Sequence, residues 1–191
     1  MFYQTLEGSE AALRARNLAR STIVMQAWSR LRPSNLLGVN VTPTTQDITQ
    51  TEVFGTIKQY IDLRPLRAQD IFGSEDTYTW CKTMASAAKT TIVNNVQNIS
   101  NRWYYINGVY NNEAIGELTE LFIKRAGQDA RDWPVEPLRN WEYKTGYADD
   151  PVIVEENQRI TVQGYASSAS TICDWNLLGE VAEKKGLTIN P

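Results

Sequence analysis

The sequence contains no histidine. That absence removes the commonest general base, the Ser–His and Cys–His nucleophile pairs, and every imidazole metal site. Cysteine is nearly as scarce. Cys81 and Cys173 stand far apart, form no CxxC pair, and are too few for a disulfide framework. Cys81 reads as a packing residue, and the state of Cys173 is open. No run of about eighteen apolar residues occurs, so no segment reads as a membrane-spanning helix. The first residues lack a basic stretch followed by an apolar one, so no secretory signal is expected. Glycine-rich phosphate loops and the GxGxxG fingerprint are missing too. Carboxylates remain, but Asp149 and Asp150 precede Pro151 and read as a turn. The expectation is a non-enzymatic protein with no catalytic residues, no metal site and no cofactor.

What is present suits a folded structural protein. The 191 residues are 42% hydrophobic and 21% charged, enough for one well-buried domain plus an extension. The net charge of −3 is unevenly spread. Residues 1–32 carry +3, residues 33–125 carry −1, and residues 126–191 carry −5. Such a gradient is expected where one end meets a polyanion and the other does not.

Ser9 can cap a helix from about Glu10 to Arg32, stopped by Pro33. On a helical wheel Leu13, Val24, Trp28 and Leu31 share one side, with Leu18 and Met25 beside them. Arg16, Arg20 and Arg30 fall within an arc of about 80° elsewhere, a basic stripe roughly 21 Å long. A plain solvated face is the competing reading of that stripe. Residues 33–45 read as a connector. Thr44 and Asp47 then open a further helical pattern through Ile48, Val53, Ile57 and Ile61, with a short helix possible through Phe72. From Glu75 to Ile106, apolar or small residues recur in steps of three and four, predicting a helix about 48 Å long. Its expected inner face includes Met84, Ala88, Ile92, Val96 and Ile99. Asn107 and Gly108 end it, and a second helix is predicted over 111–127, with Leu118 and Phe122 inside and Glu120–Lys124 as an i,i+4 pair. Beyond Asp132 periodicity weakens. Val152–Val154 and Arg159–Val162 can pair as a hairpin through Glu155–Gln158, and Asp174 can cap a last helix ending at Gly186.

The stretch RWYYINGVYNNEAIGELTELFI, from Arg102 to Ile123, resembles a known family. With its Tyr104–Tyr105 pair and its turn at Tyr110 and Asn112, it is similar to the C-terminal helical hairpin of coat proteins from rod-shaped and filamentous archaeal viruses (rudiviruses, lipothrixviruses and their relatives). Leu18–Val24 is more faintly similar to their N-terminal helix. The likeness implies a major capsid protein of the virion whose helical arms wrap double-stranded DNA in an A-like form. It also implies a dimer of itself or of paralogues, and contacts with neighbouring subunits in a helical filament. This chain departs in being acidic and in carrying some sixty further residues, which suggest an outer surface with possible envelope contact. The expected DNA-binding set is Arg14, Arg16, Arg20, Arg30 and Arg32 in the arm, with Lys82, Lys89 and Arg102. The expected fold is all-α. Residues 1–43 form a basic helical arm and connector, residues 44–131 a helix-bundle core, and residues 132–191 a small irregular C-terminal extension. Two rivals stand beside it: a head-to-tail adaptor or neck protein of a phage, and a helical module binding an acidic partner.

Overall fold

Strands dominate the described part of a computed structural model of the chain, which covers residues 2–3, 10–31, 50–53, 56–72, 82–84, 88–112, 118–140, 144–167 and 171–187. In chain order these are β1 (Phe2–Tyr3), α1 (Glu10–Leu31), β2 (Gln50–Val53), β3 (Thr56–Gln59), β4 (Ile61–Pro65), α2 (Ala68–Phe72), β5 (Lys82–Met84), β6 (Lys89–Gln97) and β7 (Arg102–Asn111). Then follow β8 (Leu118–Arg125), β9 (Arg131–Pro134), a 3-10 turn at Glu136–Asn140, β10 (Thr145–Val154), β11 (Arg159–Ala166), β12 (Thr171–Cys173) and β13 (Trp175–Lys184).

A five-stranded sheet in the order β1-β10-β7-β13-β4 faces a four-stranded sheet in the order β6-β11-β8-β9. Every pairing is antiparallel. The eight strands β4, β6, β7, β8, β9, β10, β11 and β13 pair first with last, second with seventh, third with sixth, and fourth with fifth. That is a long antiparallel hairpin rolled into two sheets, the jelly-roll topology. The β5–β12 pair closes one side, where Met84 and Cys173 are fully buried, and β2 pairs with β3. Between the sheets lies one core, built from residues such as Tyr104, Ile106, Leu121, Ile123, Val154, Val162 and Trp175.

The outer face of the five-stranded sheet is not left to water. Trp103, Tyr105 and Ala182 point away from the sandwich and pack against Ala19, Ile23, Val24, Ala27 and Trp28 of α1. The sheet supplies the bulk, so the helix supplies small residues that let it approach closely. Of the expected apolar face, Val24 and Trp28 are buried and Leu31 partly so, but the rest differs. Leu13, Leu18 and Met25 are exposed, and the buried line runs through Ala12, Ala19, Ile23 and Ala27. The helix falls where its cap and Pro33 predict, but it is a cover for the sheet, not an arm.

The expected all-α bundle is overturned, and β-bulges explain the error. The predicted 75–107 helix contains β5, β6 and half of β7, and the predicted 111–127 helix contains β8. Against β11, the register of β6 slips twice between Thr91 and Val96, and Asn95 sits at φ 53°. In β7 the register slips opposite Leu178 and Gly179, so the inward residues are Ile106 and then Val109. A bulge turns the strand step of two into three, and steps of three mimic a helix on a wheel. Of the expected inner face, Met84, Leu118 and Phe122 are buried, Ile92 and Val96 partly so, and Ala88 and Ile99 are exposed. The region read as helical from Thr44 to Ile61 contains β2 and β3, while the short α2 ends at Phe72 as read.

The C-terminal residues are no irregular extension. β10 and β13 flank β7, β11 is central to the other sheet, and the expected last helix is β13. The turn at Glu155–Gln158 forms, with the Gln158 amide donating to the Glu155 carbonyl at 3.2 Å. However, the strands on either side do not pair with each other. They belong to different sheets, so the turn carries the chain across the sandwich. Asp149 and Asp150 lie at the register shift within β10, and Asp150 pairs with Arg131 at 2.8 Å.

The bulge in β7 brings two backbones unusually close. A Cβ on Gly179 would lie 1.8 Å from the Tyr105 carbonyl oxygen. Gly179→Ala is expected to destabilise by at least the ~1–3 kcal/mol typical of overpacking. Urea unfolding checks this, and an unchanged midpoint would mean that β7 and β13 are not in this register.

Candidate functional site

Four charged residues meet inside the molecule where β4, α2, β7 and β13 converge. Arg64 donates to both Asp70 oxygens at 2.7 Å and to Glu183 at 2.9 and 3.2 Å. Arg102 reaches Glu183 at 2.9 Å and Asp70 at 3.2 Å. The Asp70 side chain is fully buried and that of Glu183 is 2% exposed. Asp70 also accepts from the Arg67 amide at 2.9 Å, capping its own short helix. Burial acts to lower the Arg64 pKa, but hydrogen bonds to Asp70 and Glu183 outweigh it and hold the group above its ordinary value. Two cations balance two carboxylates, and each is committed to the others. The cluster therefore fastens α2 to the sheet and offers no open acid or base to a substrate.

The expected DNA-binding residues do not share one surface. Arg14 is exposed and pairs with Glu10. Arg16, Arg20 and Arg30 lie on the sheet-facing side of α1, within about the same arc of the wheel as Ala12, Ala19, Ile23 and Ala27. Their long side chains run past the apolar contact to polar groups on the sheet, as snorkelling arginines do. Arg20 lies 3.5 Å from Glu180, Arg30 lies 3.4 Å from Glu156, and Arg16 bonds the Tyr105 hydroxyl. Arg20 and Arg30 remain 48% and 68% exposed, so these pairs are weak. Arg32 lies outside the described residues. Lys82 lies in β5, and its side chain is likewise outside them. Arg102 is in the buried cluster. Lys89 is on the far side of the molecule, its ammonium 3.5 Å above the Phe122 ring.

That far side, the outer face of the four-stranded sheet, holds an open groove of about 380 Å³. Asn95, Phe122, Lys124, Arg159, Thr161 and Gln163 line it, with two alanines. In register, Lys124 stands opposite Thr161 and Phe122 opposite Gln163. Sequence reading missed this group because it placed Glu120 and Lys124 on a helix. The alternation Glu120, Phe122, Lys124 and the alternation Arg159, Thr161, Gln163 were the available signals.

No metal-binding group of three or more acidic or cysteine side chains occurs among the described residues, and no described helix is long and apolar enough to cross a membrane. No protein-family model matches the chain, and no curated protein sequence matches it significantly.

Two outcomes follow from the buried polar groups. Glu183→Gln leaves two guanidinium groups facing a single carboxylate, and should cost about 3–5 kcal/mol in chemical denaturation. A loss below about 1 kcal/mol would mean that the cluster is wet. Tyr104 is held above the usual tyrosine range by burial and by the Asp70 charge; Tyr105 is held there by burial and its 2.7 Å bond to Glu180. Both therefore stay protonated in the folded chain while the unfolded chain ionises near pH 10. Stability from both is present below that pH and falls as pH rises above it. Tyr105→Phe should flatten this alkaline loss, as thermal melts between pH 9 and 11 will show.

Proposed function

We propose that this chain is a virion structural protein, a jelly-roll capsid subunit that assembles through contacts between copies. The observation that carries the reading is the eight-strand order with its first-to-last pairing. Viral capsid, lectin and cupin domains use this topology, and a fold by itself does not choose among them. The chain's own chemistry narrows the choice. With no histidine, an imidazole-bound metal centre of the cupin kind has no ligands. The four buried charges neutralise one another, and none of them lines the groove on the four-stranded sheet, which speaks against their use as catalytic groups.

The wound filament implied by the resemblance to rod-shaped-virus coat proteins depends on helical arms, and the structure supplies a helix seated on a sheet instead. That part of the expectation is not carried into the proposal. Double-stranded DNA remains the proposed cargo, met by the +3 segment of residues 1–32, in which Arg14, Arg20 and Arg30 keep exposed side chains. Such contacts would be independent of base sequence.

Electron microscopy of the purified protein tests the reading. Closed shells or regular sheets of one repeating subunit, with nuclease-protected DNA inside, are expected. A ring of fixed copy number would favour the adaptor reading, and a monomer at all concentrations and salt conditions would end the capsid proposal.

A further inference from the structure

The groove on the outer face of the four-stranded sheet combines two cations with a neutral, hydrogen-bonding lining. Lys124 and Arg159 are diagonal neighbours across the β8–β11 pair, since Lys124 stands opposite Thr161. Diagonal partners on one face lie roughly 7–8 Å apart, within reach of one bound group. Neither side chain makes an ion pair among the described residues, and no carboxylate lines the groove. Glu120 and Asp132 also point out on this face, opposite Tyr165 and Phe122, which sets Asp132 diagonally from Lys124 on the side of β8 away from Arg159. Within the groove the two cations face each other with no carboxylate between them, and an anion bridging them relieves their repulsion.

The remaining lining is neutral and rich in hydrogen-bonding groups. Arg159 uses one Nη1 bond to the Asn95 carbonyl, at 3.3 Å, which leaves the rest of its guanidinium fork. Thr161 accepts from the Asn95 amide at 3.2 Å, and its hydroxyl can still donate. Gln163 donates to Thr91 at 3.1 Å and keeps its carbonyl oxygen. Asn95 sits at φ 53° at the bulge and lines the groove together with Arg159. The groove's ~380 Å³ falls within the size of small-ligand sites and exceeds what a single inorganic anion fills.

The geometry points to a binding site for an acidic saccharide, its carboxylate or sulfate on Lys124 and Arg159 and its hydroxyls on Asn95, Thr161 and Gln163. A nucleic-acid strand fits less well. Base stacking needs an open ring, and Phe122 is 6% exposed beneath the Lys89 ammonium. The site stands on this face alone and does not depend on the capsid reading.

The test uses the full chain and three probes: 3′-sialyllactose, digalacturonate and a sulfated heparin disaccharide, with lactose as the neutral control. Binding is read by saturation-transfer NMR and calorimetry. At least one acidic probe should bind with at least tenfold preference over lactose. Lys124→Gln with Arg159→Gln should reduce that affinity at least tenfold. Lys184→Gln with Lys185→Gln, the same charge change elsewhere, should leave it within twofold. Circular dichroism is expected to be unchanged, since both groove cations are exposed. Single Lys124→Arg is expected to retain binding, which separates a charge role from a fold defect. Failure of all three acidic probes to bind, equal binding of lactose, or unaltered affinity in the groove variant would overturn the site. Tighter groove-dependent binding of oligo-dT than of any saccharide would overturn the saccharide assignment.

Discussion

Strand β7 is buried on both of its faces, and most of the architecture follows from that. Tyr104, Ile106 and Val109 turn toward the sandwich core, while Trp103 and Tyr105 turn the other way. A strand apolar on both sides needs two covers. The four-stranded sheet is one and α1 is the other, which is why a helix with so many alanines sits against the five-stranded sheet. Of the polar groups that β7 carries inward, the Tyr104 hydroxyl is buried without a hydrogen-bond partner among the described residues, while two others find partners in the same tight space. Arg102 finds Asp70 and Glu183, and the Asn111 side chain donates to the Val135 carbonyl at 3.2 Å. The ionic cluster is thus a consequence of burying the start of β7, rather than an independent feature.

The same constraint decides where chemistry can be exposed. One face of the five-stranded sheet is occupied by the core and the other by α1. Among the described residues the four-stranded sheet has a single cover, and its strands alternate accordingly, as in the strict burial alternation of β11. Its outward positions are therefore free to carry ligand-binding side chains without disturbing the core. Asn95, Lys124, Arg159, Thr161 and Gln163 all occupy such positions. The bulge at Asn95 is also the one that hid β6 from sequence reading.

Legibility in the sequence followed local physics. α1 was bounded by Ser9 and Pro33, the turn at Glu155–Gln158 by its polar run, and the strand character of Val152–Val154 and Arg159–Val162 by alternation and β-branching. What could not be read was non-local. β7 has no alternation to show because both faces are apolar, and an unbroken apolar run does not distinguish strand from helix. Bulges in β6 and β7 then added the three-residue steps of a helix. Asn107 and Gly108, plausible as a helix stop, instead serve the bulge, where a Cβ on Gly108 would come 2.6 Å from the Gly146 carbonyl oxygen. The resemblance to helical coat proteins rested on these same residues, and so inherited the same misreading of their local conformation.

Charge has a non-local component for a related reason. Counting along the chain singled out the arginines of α1, the densest basic stretch in the sequence. Folding places carboxylates from distant strands opposite them: Glu180 against Arg20 and Glu156 against Arg30. Arg64 and Arg102 are held far more firmly, buried against Asp70 and Glu183, and Arg131 pairs with Asp150. Coulombic attraction falls with separation, so what an incoming anion meets depends on cations left without a nearby carboxylate. Lys124 and Arg159 come from strands more than thirty residues apart and from two segments that are each net negative, so no short window along the sequence could pair them. Only the β8–β11 register makes them neighbours. Affinity for an anion in a chain of net charge −3 is then a property of strand pairing, and a single-residue slip of β11 would abolish the site while leaving composition, charge and topology unchanged.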